Sequence, residues 1–147
     1  MAFVSTYLHF WRNTEEAFNF YKSVFGGEFE WGIHRFGKAP VQDGMSEMSL
    51  EDKNLVMHVC LPILWGHKLM GTDAPDSMSF TLNKGNNMYI SLNPDSLEEG
   101  QKLFDALTVN GKIETPLQKM FWGAYFASFS DQFGVQWMMN IRKKSNF

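Results

Sequence analysis

Apolar residues along this chain recur with two periods, every second residue and every third or fourth residue. Period two is typical of strands that turn one face towards a helix. In the first such segment, Leu8 and Phe10 alternate with more polar neighbours. The same pattern predicts strands at residues 7–11, 28–36, 55–61, 68–71, 88–92, 112–115, 122–129 and 135–141, with a turn at 131–134 between the last two.

Two segments carry the signals of a helix start. At 13–16 (Asn-Thr-Glu-Glu), Asn13 is predicted to cap the free N–H groups, with a glutamate three residues later completing a capping box. The glycines at 26–27 predict the end of this helix because glycine tolerates a left-handed backbone. The segment 96–99 (Ser-Leu-Glu-Glu) predicts a second helix, which is expected to stop at Asn-Gly, residues 110–111.

The two halves of the chain can be laid over each other. Glu15–Ala17 matches Glu98–Gly100, and each half reads strand, helix and then three strands. We therefore predict an α+β fold of two βαβββ modules, about residues 1–80 and 81–147, within one domain of 147 residues. The predicted connections are 37–45, inside the first module, and 72–85, which joins the modules.

The composition limits the classes of protein to which this chain can belong. With 44% hydrophobic residues the chain can form a core, and a net charge of −3 without a long basic run argues against nucleic-acid binding. One cysteine, Cys60, excludes an intrachain disulfide. No apolar run approaches the ~20 residues of a membrane span, and residues 1–10 lack signal-peptide features. We therefore expect a cytoplasmic protein without membrane contact.

Two longer motifs stand out, Phe20–Gly27 and Asp131–Trp137. Together with the element order they resemble the vicinal oxygen chelate superfamily, which includes glyoxalase I and bleomycin resistance proteins, and most of all its PhnB-like branch. The resemblance covers almost the whole chain. Further matching segments are Tyr7–Phe10, Glu16–Ala17–Phe18, Met57–His58, Leu69–Met70 with Asp73, and Phe121–Gly123.

The resemblance implies that the strands form a curved mixed sheet around a cavity and that the protein is a homodimer. Metal-using members hold a divalent ion, acting as a Lewis acid, with four His, Gln or Glu ligands from the first and last strands of each half. Hydroxyl, amide and thioether groups are poor ligands for zinc, nickel or iron. We therefore expect no metal and no cofactor here, because the corresponding positions are Ser5 or Thr6, Met70, Asn87 or Met88, and Met138.

The histidines suggest a relocated metal site of His9, His58 and Cys60, since His58 and Cys60 share a strand face. The alternative is a polar lining of half-buried histidines, because spacing alone does not show that His9 meets His58. Cys60 is also a candidate nucleophile with His58 as base, against the reading as a small core residue. Candidate general acids or bases, each with a structural alternative, are Asp73 (loop cap), Glu114 (strand edge) and Asp131 (turn).

An apolar pocket with a few polar groups is favoured over all of these sites, with core packing as its alternative. Tyr7 and Tyr89 are interpreted as matching positions in the two halves, and the ten methionines would make the lining adaptable. No catalytic residue is assigned. The candidate pocket residues are Tyr7, His9, His58, Met70, Asn87, Tyr89, Trp122, Tyr125, Trp137 and Met138.

The leading hypothesis is a metal-independent protein that binds or sequesters an unidentified small molecule. The second is a metal-dependent lyase or dioxygenase-like enzyme with an altered metal site. The third is an interaction protein with a vestigial pocket. These three differ in what they require: an enzyme needs a titratable group or metal in its cavity, a binder gains stability from its ligand, and an interaction protein exposes an apolar patch.

Overall fold

The structure, a computed structural model, describes residues 1–40, 48–75 and 80–142. The chain divides into two units, Met1–Asn83 and Lys84–Phe147, hereafter unit 1 and unit 2. The boundary lies inside the predicted joint at 72–85. The other predicted loop, 37–45, begins with a 3₁₀ turn at Phe36–Lys38, and its residues from 41 onwards lie outside the described part.

Unit 1 has a four-stranded sheet in its described part, with strand order β1-β4-β3-β2. β1 and β4 are parallel, and the other neighbours are antiparallel, so the sheet is mixed. A short 3₁₀ turn, Leu64–Gly66, connects β3 to β4. The elements are β1 (Thr6–Phe10), α1 (Thr14–Phe25), β2 (His34–Arg35), α2 (Leu50–Lys53), β3 (Val56–Pro62) and β4 (Lys68–Asp73).

Unit 2 repeats this plan, with described strands in the order β5-β8-β7-β6 and a parallel pair of first and last strands. Its elements are β5 (Ile90–Leu92), α3 (Leu97–Leu107), β6 (Lys112–Lys119), β7 (Ala124–Ser130) and β8 (Gln136–Arg142). The predicted α+β fold of two βαβββ modules is therefore confirmed.

The two long helices, α1 and α3, each cover one face of the sheet in their own unit. In α1, Ala17, Phe18 and Tyr21 are fully buried, and Phe18 lies so close to Gly71 of β4 that a side chain there would collide with its ring. In α3, Phe104 packs edge-on against Phe129 of β7, with ring centroids 5.4 Å apart. The apolar stripes predicted on both helices therefore face their sheets.

The start of α1 differs from the prediction. The side chain of Asn13 makes no capping hydrogen bond. Asp73, at the end of β4, replaces it: its Oδ1 accepts from the Thr14 backbone N–H at 3.0 Å and from Thr14 Oγ1 at 2.7 Å. Its Oδ2 accepts from Val56 N–H at 2.8 Å, so this buried carboxylate ties α1 to β3 and β4. Asp73 is a helix cap and not the loop cap predicted.

The start of α3 follows the prediction. Ser96 Oγ accepts a hydrogen bond from Glu99 N–H at 3.1 Å, and the Glu99 carboxylate reaches back to Asp95 N–H at 3.2 Å. The helix ends before Asn110, whose φ of 55° lies in the left-handed region. The turn at 131–134 is also confirmed, because Gly134 N–H donates to the Asp131 carbonyl at 3.0 Å.

Two predicted strands are shorter in the structure. The segment 28–36 contributes only His34–Arg35, because Trp31 and Gly32 have φ of 63° and 70° and interrupt the extended backbone. The segment 88–92 contributes only Ile90–Leu92, and Met88 is 81% exposed. β6 runs on to Lys119, beyond the predicted 112–115.

Among the described residues no helix is both long and apolar enough to cross a membrane. The cytoplasmic location and the lack of nucleic-acid binding stay predictions.

Candidate functional site

One face of the unit 1 sheet packs on α1, and the other face carries most of the candidate side chains of this unit. Tyr7 of β1 lies beside Met70 of β4, which lies beside Cys60 of β3. His9 lies two residues after Tyr7 on β1, and His58 lies two residues before Cys60 on β3. Both histidines are therefore on this same face. The structure therefore brings four predicted residues, Tyr7, His9, His58 and Met70, onto one face.

Five rings follow one another across this open face, and we call them the aromatic row: Phe80, His9, Tyr7, His58 and His34. Successive ring centroids are 4.9, 5.6, 5.8 and 6.3 Å apart. Phe80 and Tyr7 are each 45% exposed. The row is a continuous surface of rings that the helix of this unit does not cover.

Tyr7 lies between His9 and His58 and is hydrogen-bonded to His58, with 3.1 Å between Tyr7 Oη and His58 Nδ1. Burial lowers the pKa of His58, and the neighbouring His34 lowers it further. Burial raises the pKa of Tyr7. Both groups are therefore neutral at neutral pH, a phenol next to an uncharged imidazole.

The positions where the family's metal ligands are expected carry other chemistry. In unit 1, the Ser5 hydroxyl donates to the thioether sulfur of Met70, 3.7 Å away. In unit 2, Met138 lies in register between Ser91 and Ser128. Hydroxyl and thioether groups do not fit zinc, nickel, iron or manganese, which prefer imidazole and carboxylate.

The relocated metal site is not supported either. Within the described ranges, no three His, Cys, Asp or Glu side chains lie close enough together to hold an ion. His9 and His58 share a face, and the Tyr7 ring contacts both of them.

Cys60 does not have the surroundings of a nucleophile. It is 2% exposed, and its thiol lies 3.7 Å from Glu30 Oε2, which also accepts from Lys68 Nζ at 3.0 Å. Burial raises the pKa of the Cys60 thiol, and the Glu30 carboxylate raises it further. His58 turns its Nδ1 to Tyr7. Cys60 is therefore a protonated core thiol.

The acidic candidates also have structural partners. The Asp131 carboxylate is buried and accepts hydrogen bonds from the turn that follows it, as Asp73 does from α1. Both oxygens of Glu114 lie 2.9 Å from Tyr89 Oη, and this hydrogen bond raises the pKa of Tyr89.

The unit 2 candidates do not form one cluster. Asn87 is exposed, and Trp122, 51% exposed, lies in the turn between β6 and β7, where its ring contacts Phe121 and Phe126. Tyr89 is not the counterpart of Tyr7. The register places Ser91 beside Met138, as it places Tyr7 beside Met70.

Two predicted pocket residues face the helix side of the sheet in unit 2. Trp137 is fully buried, and its indole N–H donates to Asp131 Oδ2 at 2.9 Å. Tyr125 lies in register beside Ile141, on the face opposite Met138. The prediction was wrong for both because period two cannot tell which face of a sheet a helix covers.

The sequence analysis did not assign two residues of the aromatic row to the pocket. His34 lies beside His58 across the β2–β3 pair, and Phe80 comes from an irregular connection. The pairing of β2 with β3 could have indicated His34, whereas no periodic pattern marks Phe80. At the sheet edge, a small cleft of about 180 Å³ is lined by Ile33, His34, Arg35, Lys38 and Met57.

Comparison with known proteins agrees with this architecture. The sequence model of the Glyoxalase/Bleomycin resistance protein/Dioxygenase superfamily matches residues 6–139. Protein YjdN of Escherichia coli (strain K12) is 33% identical over 147 residues, which cover 96% of each chain.

Solved structures agree as well. Protein PA1353 from Pseudomonas aeruginosa has a TM-score of 0.80 at 33% identity, over 97% of this chain and 98% of that chain. The PhnB protein from Bacillus cereus has a TM-score of 0.71 at 25% identity, over 95% and 99%.

Proposed function

Because the chain belongs to the glyoxalase/bleomycin resistance protein/dioxygenase superfamily, we propose that it is a PhnB-like protein that binds or sequesters a small molecule without a metal ion. The observation that carries this proposal is the contact between Ser5 Oγ and Met70 Sδ at 3.7 Å. In the alignment that gives Ser5 instead of Thr6, a hydroxyl and a thioether pair with each other at the two unit 1 positions where the resemblance implies metal ligands.

The open face of the unit 1 sheet supports the binding part of the proposal. It combines a methionine and several rings with a few hydrogen-bonding groups, the composition of small-molecule sites. Met70 is half-buried there beside Tyr7, which is 45% exposed. Unbranched methionine side chains adapt to ligands of different shapes.

A metal-dependent lyase or dioxygenase-like enzyme is the second candidate. The observation that favours it is that His9, His34 and His58 lie along one sheet face. It requires these imidazoles to move together around an ion.

The proposal is tested by a thermal-shift screen of small aromatic and apolar compounds in the presence of a strong chelator. A true ligand stabilises the folded protein by about 2.7 kcal/mol at a hundredfold excess over its Kd, and the chelator leaves this gain unchanged. Stabilisation that occurs only after zinc, nickel, iron(II) or manganese is added would support the enzyme and contradict the metal-free binder.

We also propose that the protein is a homodimer. Large apolar side chains are strongly exposed in each unit, including Trp31 and Trp65 at 87% and 88%, and Met88 and Phe121 at 81% and 96%. Aromatic residues and methionine are enriched in the surface that protein interfaces bury. Light scattering of the full chain is expected to give the mass of two chains at micromolar concentration, and the mass of one chain would contradict the dimer.

A further inference from the structure

We propose that the aromatic row of unit 1 binds a planar aromatic molecule that carries a neutral hydrogen-bond donor, such as a phenolic O–H or a ring N–H. The inference rests on the proposed small-molecule binding and goes further by naming the site and the chemical class of its ligand.

The stacking part of the inference comes from Phe80, His9 and Tyr7. Their rings are in contact, with centroids 4.9 and 5.6 Å apart, within the range of favourable ring pairs. Phe80 and Tyr7 remain 45% exposed, and His9 is also exposed. Their planes are tilted by 30° and 53°, so a flat ring packs against the exposed faces and edges of neighbouring rings and removes apolar ring surface from water.

The donor part comes from the Tyr7–His58 hydrogen bond. A phenol is the better donor of the two groups and a neutral imidazole nitrogen the better acceptor, so Tyr7 O–H donates to His58 Nδ1 across 3.1 Å. Among the described residues, Tyr7 Oη has no second hydrogen-bond partner. Its lone pairs therefore remain available to accept a hydrogen bond from a ligand.

The hydrogen bonding of the aromatic row favours a neutral donor over an anion. The Tyr7 proton is engaged by His58, so it is not offered to an anion. An uncharged donor completes the chain from ligand to Tyr7 to His58, and hydrogen bonds in such chains strengthen one another.

The test compares 2-naphthol with its methyl ether, 2-methoxynaphthalene, by calorimetric titration in the presence of a chelator. The two compounds share one ring system, but only the naphthol has a donor. The wild-type protein is expected to bind the naphthol up to about tenfold more tightly, the usual worth of one net hydrogen bond.

Two variants test whether the preference for the naphthol depends on the aromatic row. Tyr7→Phe is expected to remove the preference while leaving the affinity for the ether within about twofold, because the ring stays and the hydroxyl goes. Phe80→Ala is expected to weaken both compounds equally, since it removes only stacking. The matched control Tyr125→Phe deletes the same group from a tyrosine on the helix side of unit 2 and is expected to change neither affinity.

Equal affinity of the two compounds in the wild type, or a preference that survives Tyr7→Phe, would overturn the inference while leaving small-molecule binding intact. If other compounds stabilise the protein but neither naphthalene binds, the inference is also wrong. If no compound of any class binds, the proposed function fails with it.

Discussion

Asp73 and Asp131 are buried carboxylates, and each accepts several hydrogen bonds from donors within its own unit. A buried charge is tolerated only when hydrogen bonds replace the water that it loses, and both residues meet that condition. Their contacts explain why both are structural and neither belongs to the candidate site. The donors are Thr14 N–H, Thr14 Oγ1 and Val56 N–H to Asp73, and Phe133 N–H, Val135 N–H and Trp137 Nε1 to Asp131.

Asp73→Ala is expected to lower the free energy of unfolding by about 2–4 kcal/mol, because it leaves two backbone N–H groups and a hydroxyl buried without an acceptor. Urea unfolding measures the loss. Asp95→Ala, which removes an exposed aspartate next to α3, serves as control and is expected to change the stability by less than about 0.5 kcal/mol. A similar small loss for Asp73→Ala would contradict the role given to it.

His58 makes the stability depend on pH. Its pKa in the folded protein is lowered by burial and by His34, with Tyr7 and His9 the other groups of the row near it. As the pH falls below the ordinary value of 6.5, the unfolded chain takes up the proton before the folded protein does. The stabilising contribution of neutral His58 to the free energy of unfolding is therefore fully present above pH 6.5. It decreases as the pH falls from there towards the lowered pKa.

His58→Gln is accordingly expected to flatten the decline in unfolding free energy between about pH 7 and pH 5. Chemical unfolding at several pH values measures the slope. The control is His67→Gln, a histidine outside the row whose ring is hydrogen-bonded to Thr6. If both variants kept the wild-type slope, another group would be responsible for the decline.

At the scale of elements, the two long helices, α1 and α3, begin in different ways although the sequences at their starts are alike. Ser96 caps α3 with its own side chain, whereas α1 takes its cap from β4, far along the sequence. A capping box is a local signal, and it was correct where the cap is local. The prediction for Asn13 failed because a carboxylate distant in sequence occupies the same N–H groups.

This difference gives a matched pair of variants. Ser96→Ala is expected to cost about 1 kcal/mol of unfolding free energy, while Asn13→Ala costs only a few tenths, because only the serine makes a capping bond. Denaturant unfolding of the two variants under one set of conditions gives the comparison. Equal losses would show that Asn13 caps α1 in solution.

At the scale of the whole molecule, the repeated βαβββ order could be read from sequence because periodicity and helix signals are local properties. The interruption of the predicted strand 28–36 at Trp31–Gly32 could not, since it depends on left-handed residues that no alternation reveals. The candidate site was harder still. Which rings meet depends on strand register, which the sequence does not reveal. Tyr7 lies beside Met70, whereas Tyr89, predicted to be its counterpart, is hydrogen-bonded to Glu114.

The central proposal for the whole molecule is that it binds its small-molecule ligand without a metal ion. Met70 and Met138, with serines as their neighbours, are not the His, Gln or Glu ligands that the resemblance implies for metal-using members. Within the described ranges the imidazoles of the aromatic row form no group of three metal-ligating side chains: His34 and His58 are neighbours, and the Tyr7 ring contacts His58 and His9. Both observations concern ligand type and geometry, so direct measurement of bound metal tests them together.

The most direct measurement is metal content by mass spectrometry, after the purified protein is incubated with zinc, nickel, iron(II) and manganese and then desalted. The account predicts that no ion is retained above trace level. Near-stoichiometric retention of one ion would contradict it, and loss of that ion in His58→Gln would place the metal in the aromatic row.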